Sequence, residues 1–398
     1  MIEKVYHSGK IENHITLPIY FILIRLILFA SLPYEVIPGY GDHWNFFMQS
    51  GLGFPFFDYW TEFPPVFPIL SRLFFCLVEG REQAYGYILA IFFTIVQAGC
   101  IWLFLNILQT VRPNENPERR GWLYFLFTAG LFYTWGYFDT LALFFMLLGV
   151  YWILLEKDIH AILAVSLGIL TKWFPILMLP AIWKVRKTKK AILISLSALV
   201  IVIAAWFVLF TVNADYTKAS ILSQLNKGSW ETIWALLDGN LHTGNFAPEV
   251  NRLFAETASL PTGNPAVIPA WLTLVIIGGF GFVIWFRSKP TKRRWLVDFL
   301  GLTFIIFFLW LPGYSPQWVL FLIPLLLISL EFKEAVLFGT VLVLVHLLEW
   351  PVLLSRGAFW ALNFIVPLRT GLFLLLGLRF YQRTRVDLKT SDGETYAA

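Results

Sequence analysis

Charged residues are scarce in this sequence. Asp, Glu, Lys and Arg make up 14% of its 398 residues, whereas an average soluble domain carries roughly 25%. Hydrophobic residues make up 58% of the chain, and its mean hydropathy is +0.70. One water-soluble core cannot hide this much apolar surface, so the composition excludes an ordinary soluble enzyme. The same numbers exclude a disordered chain.

Cysteine is nearly absent. Cys76 and Cys100 lie in apolar runs without C-x-x-C spacing, which excludes a disulfide framework and a cysteine-based zinc site. Aromatic residues are abundant instead, with 18 Trp, 15 Tyr and 39 Phe, and such rings favour the interfaces of a lipid bilayer. The net charge of +5 then reflects the loops of a membrane protein, and no nucleic-acid partner is expected.

The apolar runs predict an all-α, polytopic membrane protein formed by a single domain, residues 1–398. A helix crosses the hydrocarbon core in roughly 20 residues, and this length divides the chain into about 12 transmembrane or half-spanning helices. One run is interrupted at Lys172 and Pro175, where proline disfavours a continuous helix. The predicted helices cover 16–33, 84–109, 121–136, 139–156, 160–171, 174–185, 191–211, 267–286, 295–312, 316–330, 334–352 and 358–380.

The distribution of Lys and Arg predicts the orientation of these helices. With the N-terminus inside, 21 of the 30 basic residues fall in inner segments and seven in outer segments. Short cytoplasmic loops carry such an excess, so we expect a multi-pass protein of the cell membrane with both termini in the cytoplasm. The polar segment 381–398 is expected to be a flexible cytoplasmic tail.

Two predicted outer segments, 34–83 and 212–266, are too long to be simple connections. The first contains FPPVFPILSRLFFCLVEG, which is apolar but short and predicts a re-entrant or interfacial helix. The second contains GSWETIWALLDG, which predicts a helix lying flat in the membrane interface. We expect Ser229 to cap the start of this helix and Gly239 to end it.

Ionisable and polar residues gather on the predicted outer face, where side chains beside membrane spans tend to be functional. Asp42 is the best placed general base, and Lys172, at the interrupted helix, is a candidate for phosphate contact. Each has a plain structural alternative, since Asp42 and Asp139 could cap helices and Lys172 could snorkel to the membrane surface. The candidate residues are Asp42, His43, Asp58, Glu62, Asp139, Lys172, Tyr314 and Gln317.

Four short motifs contain most of these candidates. They are Gly41-Asp42, Glu62-Phe63-Pro64-Pro65, the run from Gly136 and Asp139 to Gly168, Lys172 and Pro175, and Ser315-Pro316-Gln317-Trp318. In this order the motifs resemble those of the GT-C superfamily of membrane glycosyltransferases. The likeness is strongest to bacterial and archaeal mannosyltransferases with a polyprenyl-phosphate donor. It extends over about the first 190 residues and again near 228–330.

The resemblance implies a GT-C-like fold and a specific chemistry. Asp42 would act as general base on the acceptor hydroxyl, and Lys172 would contact the donor phosphate. A sugar, mannose by analogy, would pass with inversion from a polyprenyl-phosphate donor to a lipid or glycan acceptor. His43 follows Asp42, so a D-x-D motif is absent, and we expect neither a metal nor another cofactor. The remaining candidates would bind substrate.

Two other classes of protein remain open at this point. A transporter or flippase for lipid-linked sugars places its site at the bilayer midplane and often contains repeated halves, and the sequence shows neither feature. A non-catalytic subunit of a membrane glycan complex is the other alternative. A groove from the bilayer to Asp42 would favour transfer, whereas a central two-sided cavity would favour transport.

The orientation can be tested by labelling single cysteines in a background that lacks Cys76 and Cys100. We expect cysteines replacing Asn45 and Asn245 to react with an impermeant maleimide added outside intact cells. A cysteine replacing Thr188 should react only after the cells are opened, because the basic inner segments stay in the cytoplasm. The reverse pattern of labelling would invert the predicted topology.

Overall fold

The computed structural model describes residues 14–385. These residues form helices joined by turns and isolated bridges, with no β-strand in this part of the chain. The helices are α1 Thr16–Ser31, α2 His43–Gly51, α3 Val66–Leu77, α4 Glu82–Val111, α5 Pro117–Ala129, α6 Tyr133–Gly136, α7 Asp139–Leu154, α8 Asp158–Thr171, α9 Leu179–Val185, α10 Thr188–Val212, α11 Ala214–Leu222, α12 Ile233–Asp238, α13 Ala270–Thr273, α14 Gly279–Arg287, α15 Trp295–Trp310, α16 Val319–Ser329, α17 Phe332–Leu347 and α18 Leu362–Arg385.

Five helical stretches of the described chain are long and apolar enough to cross a membrane, and seven shorter helices are also apolar. The prediction of an all-α protein with membrane-spanning character is therefore confirmed. Most predicted apolar helices coincide with helical segments whose bounds differ by a few residues, but the predicted helix 121–136 is divided into α5 and α6. The five long stretches are Glu82–Val111, Thr188–Val212, Ala270–Arg287, Phe332–Arg356 and Phe359–Arg385.

The predicted interruption at Lys172 is confirmed. Helix α8 ends at Thr171, and Lys172 has extended backbone angles of φ −155° and ψ 142°. A 3-10 turn over Phe174–Met178 then leads into α9. Proline at position 175 has no backbone N–H to donate, which agrees with a new helical start at this point.

The core is formed by helices that are apolar on all sides. Helices α4, α7 and α8 pack side by side, while α15 packs against both α16 and α18. Every residue of α16 is buried, from Val319 to Ser329. A helix surrounded by protein has no need of a polar face, which explains the continuous run of Leu, Ile, Val and Phe in this segment.

The two long loop regions pack against each other at one end of the bundle, and we call residues 34–65 and 213–266 together the loop cap. The Trp60 indole donates to the Phe254 carbonyl at 3.1 Å, and its backbone N–H donates to the Arg252 carbonyl at 3.1 Å. Nearby, the Thr61 N–H donates to the Ser220 hydroxyl at 3.1 Å. These contacts join two segments that lie far apart in sequence.

The short helix of the loop cap begins later than predicted. Thr232, not Ser229, caps its start, because the Thr232 hydroxyl accepts the Ala235 N–H at 3.1 Å. The residue before it, Glu231, has a left-handed φ of 51° that prevents a helix from continuing through it. Gly239 ends the helix with φ 74°, as predicted. The segment FPPVFPILSRLFFCLVEG also contains a helix, α3, over Val66–Leu77.

A buried arginine ties the loop cap to the last helix. The Arg369 guanidinium of α18 donates to the Glu349 carboxylate and to the Glu231 carbonyl. It also lies 4.1 Å from the centre of the Tyr314 ring. Helix α18 continues to Arg385, so the predicted tail 381–398 begins with helical residues, and its remainder lies outside the described residues.

Candidate functional site

Asp42 is held where the loop cap meets the helix bundle. Gly41 lies against Gly136 so closely that a Cβ atom at position 41 would be 2.6 Å from the Gly136 Cα. The Asp42 N–H donates to the Gly136 carbonyl at 3.0 Å. Asp42 occupies the N-cap position of α2, but its side chain makes no capping hydrogen bond. The carboxylate instead accepts a hydrogen bond of 3.2 Å from the Asn45 amide.

The surroundings of Asp42 make its carboxylate more basic than usual. Burial is the main cause and raises its pKa from 3.8 to about 6, with Asp139 and Glu62 acting in the same direction. The Asn45 hydrogen bond and the positive charge of Lys172 partly oppose the rise. The residue nevertheless keeps some accessible surface. A general base works best with a pKa near the working pH.

His43, the next residue, is buried and neutral. Its Nε2 atom lies 2.7 Å from the Trp135 carbonyl and donates to it, which leaves Nδ1 as an acceptor without a partner in the described part of the chain. Burial lowers the pKa of His43 to about 4. The imidazole can therefore accept a hydrogen bond but carries no charge near pH 7.

Lys172 and Asp139 form a pair that the sequence did not predict. The Lys172 ammonium lies 2.5 Å from the Asp139 carboxylate, which is almost fully buried. The rings of Phe138, Phe174 and Trp318 surround the ammonium at 5.1–5.3 Å. Asp139 therefore neutralises a lysine rather than capping α7. The phosphate contact expected of Lys172 stays a prediction.

A second close contact involving a glycine lies within the run from Gly136 to Pro175. A Cβ atom at Gly168 would lie 2.9 Å from the Pro175 ring, so only glycine lets the chain return this closely after Lys172. The run from Gly136 to Pro175 thus brings together Asp42, Asp139 and Lys172. The spacing of this run has a structural reason. Gly136 and Gly168 lie where backbone segments pack closely, and the pair of Asp139 and Lys172 lies between them.

Glu62 is paired by a residue of the other long loop. Arg252 donates a hydrogen bond of 2.9 Å to Glu62 Oε1 and forms an ion pair with Oε2 at 2.7 Å, and such a charge-assisted contact is stronger than a neutral one. The Arg252 guanidinium also lies 5.1 Å from the Trp60 ring centre. Sequence reasoning missed Arg252, because nothing in its local pattern marks a partner 190 positions away.

Lys227 is the second basic residue that sequence reasoning missed. Its ammonium lies 4.1 Å from the Phe246 ring centre and 5.1 Å from that of Trp230. Burial lowers its pKa to about 8, while the charges of Glu62 and Asp42 favour the protonated form. It therefore belongs to the same electrostatic environment as Asp42.

The structure does not bring all the predicted residues together. Asp58 is exposed, and its carboxylate accepts the Phe54 N–H at 2.6 Å within a turn. Tyr314 is buried beside Arg369, and its hydroxyl lies 2.8 Å from Nε2 of His346. Gln317 lies half-buried in the turn before α16, next to the Trp318 ring that covers Lys172.

The described residues form an all-helical protein with membrane-spanning character and a charged site where the loop cap meets the bundle. Across residues 14–385, no group of three or more His, Cys, Asp or Glu side chains could hold a metal ion. Comparison of the chain with models of protein families, with curated proteins and with solved structures finds no match.

The contact between Gly41 and Gly136 predicts a steric limit. We expect Gly41→Ala to destabilise the protein by about 1–3 kcal/mol, because the new Cβ atom would meet backbone that cannot rotate away. The apparent melting temperature in detergent measures this effect. Gly130→Ala is the matched control, since no atom lies within 4 Å of its Cβ position. Equal melting temperatures for the two variants would contradict the close contact.

The pair of Lys172 and Asp139 predicts coupled substitutions. We expect Lys172→Met and Asp139→Asn each to destabilise the protein by about 3–5 kcal/mol, because each leaves a buried charge alone. The double variant should lose clearly less stability than the sum of the losses in the two single variants. Chemical unfolding in detergent micelles measures all four proteins. Additive losses would show that the two charges act independently.

Proposed function

We propose that the protein is a glycosyltransferase that moves a sugar from a polyprenyl-phosphate donor to a lipid or glycan acceptor. The observation that carries the proposal is the Asp42 carboxylate, which caps no helix, has a pKa near 6 and stands near a buried lysine–aspartate pair. The resemblance of the four motifs to GT-C enzymes supports the same chemistry, with mannose as the sugar.

In the proposed reaction Asp42 takes the proton of the acceptor hydroxyl as that oxygen attacks the anomeric carbon of the donor. The bond between the anomeric carbon and the phosphate oxygen breaks, and its electron pair leaves with the polyprenyl phosphate. One displacement inverts the anomeric configuration. Positive side chains near the leaving phosphate offset its charge, an effect that strengthens where water is excluded. The phosphate leaving group needs no second carboxyl to protonate it.

The proposal includes the arrangement in the membrane. The 12 apolar segments are transmembrane or half-spanning helices in a GT-C-like fold, the termini are cytoplasmic, and the loop cap faces outward. The excess of Lys and Arg in the inner segments supports this orientation. Asp139 begins α7 and Lys172 follows the end of α8, so the charged site lies at helix ends, whereas a transporter places its site at the midplane.

Replacement of the base tests the proposal. We expect Asp42→Asn to lower turnover by about 10²–10⁴-fold at saturating donor and acceptor, because the amide cannot take up a proton. The assay measures transfer of radiolabelled sugar from polyprenyl phosphates to membrane acceptors. Asp58→Asn is the matched control, since Asp58 is exposed in a turn. Near-normal turnover of Asp42→Asn would contradict the assignment of the base.

The pKa of Asp42 adds a pH dependence to the same experiment. Wild-type kcat/KM should fall below about pH 6 as Asp42 becomes protonated. The pKa in the folded protein is raised, so the stability that this group contributes is complete below pH 3.8 and is lost as the pH rises through 6. At pH 7 Asp42→Asn should therefore be more stable than wild type, by roughly 1–3 kcal/mol. A loss of both stability and activity would indicate a structural role instead.

A further inference from the structure

Lys227 is the cation of the site that lacks a carboxylate partner. Lys172 is paired with Asp139, and Arg252 is paired with Glu62. Within residues 14–385, the Lys227 ammonium forms no ion pair and contacts the faces of aromatic rings instead. Two of the three positive charges are therefore neutralised locally, and the third is left for a group that the chain does not supply.

The backbone around Lys227 is firmly positioned. Lys227 pairs with Thr262 in a short parallel bridge. The next residue, Gly228, donates its N–H to the Thr262 carbonyl at 3.1 Å, and a Cβ atom there would lie 2.1 Å from the same oxygen. The Thr262 hydroxyl is buried without a hydrogen-bond partner in the described structure. An unpaired ammonium and an unpaired hydroxyl thus occur on two adjoining segments, and both can donate to an anion.

Exposed aliphatic residues precede Lys227 in the sequence. Ile221, Leu222 and Leu225 precede Lys227, and Leu225 is 75% exposed. Exposed aliphatic side chains of this kind suit the chain of a lipid rather than water. The neighbouring ammonium suits the phosphate to which such a chain is attached. This combination favours a lipid-linked anion over a free one.

We propose that the Lys227 ammonium, assisted by the Thr262 hydroxyl, binds the phosphate of the lipid-linked donor. Lys172 is already neutralised by Asp139, so Lys227 supplies the free positive charge. This inference rests on the proposed function, since it assigns the donor phosphate to residues 213–266 of the loop cap, whereas Asp42 lies in residues 34–65. It separates binding of the donor from activation of the acceptor.

Equilibrium binding of a radiolabelled polyprenyl phosphate to the purified full-length protein tests the proposal. We expect Lys227→Met to raise the Kd about tenfold or more, because Met keeps the length of the side chain but loses the charge. Lys227→Arg should restore most of the affinity. Lys218→Met is the matched control, since Lys218 is also a loop-cap lysine near an aromatic ring, that of Phe210 in α10, but is exposed. Its Kd should equal that of wild type.

Several results of the binding experiment would overturn the proposal. Equal affinity of wild type and Lys227→Met for polyprenyl phosphate would overturn the proposal, as would the absence of binding to wild type. Inorganic phosphate that competes as well as the lipid phosphate would show an anion site without lipid recognition, and would overturn the assignment to the donor. Asp42→Asn should bind polyprenyl phosphate normally. A wild-type protein that transfers no sugar, but whose binding of polyprenyl phosphate still depends on Lys227, would refute the proposed transfer alone.

Discussion

The contact between Gly41 and Gly136 is the constraint on which the site depends. It brings the loop cap onto the C-terminal end of α6 with no side chain between the two backbones. Asp42 follows directly, and Asp139 is three residues beyond Gly136. A wider separation would move one carboxylate away from the other and expose both to water, so the close approach sets the electrostatic character of Asp42.

Neutralisation of charge governs the remainder of the site. Ionised groups away from water are expensive unless they are paired, and two pairs, Lys172 with Asp139 and Glu62 with Arg252, satisfy that requirement. Asp42 and Lys227 lack such a partner, and burial shifts the pKa of each toward neutrality. The charges that remain free are of opposite sign, which suits the proposed reaction, in which an acceptor hydroxyl loses a proton and a separate donor carries an anionic group.

Helices could be predicted from the sequence because their cause is local. A run of apolar residues favours a helix, and the end of α8 at Thr171 agrees with Pro175, whose ring would clash with the carbonyl four residues earlier in a continuous helix. Candidate residues such as Asp139 and Lys172 could also be identified, since charges in apolar surroundings stand out. Their pairing across 33 positions could not, because it depends on how α7 and α8 pack.

The start of the short loop helix could not be predicted for a related reason. The local sequence favours Ser229 as its cap, but the Trp230 N–H donates to the Pro312 carbonyl and the Tyr314 N–H donates to the Trp230 carbonyl, which holds the backbone extended. Arg252 and Lys227 were missed because their importance arises only when the two halves of the loop cap meet. The start of this helix and the partners of Arg252 and Lys227 therefore depend on tertiary contacts, which local sequence patterns do not reveal.

The attachment of Glu231 to Arg369 has a consequence for biosynthesis. A ribosome makes the residues of the loop cap long before it makes α18, so the carbonyl of Glu231 has no guanidinium to bind until Arg369 has been synthesised and its helix inserted. The early helices can assemble around Asp42 while this last connection is still missing. Synthesis of α18 is thus the step that adds this connection to the loop cap, and a chain released before position 369 would lack it.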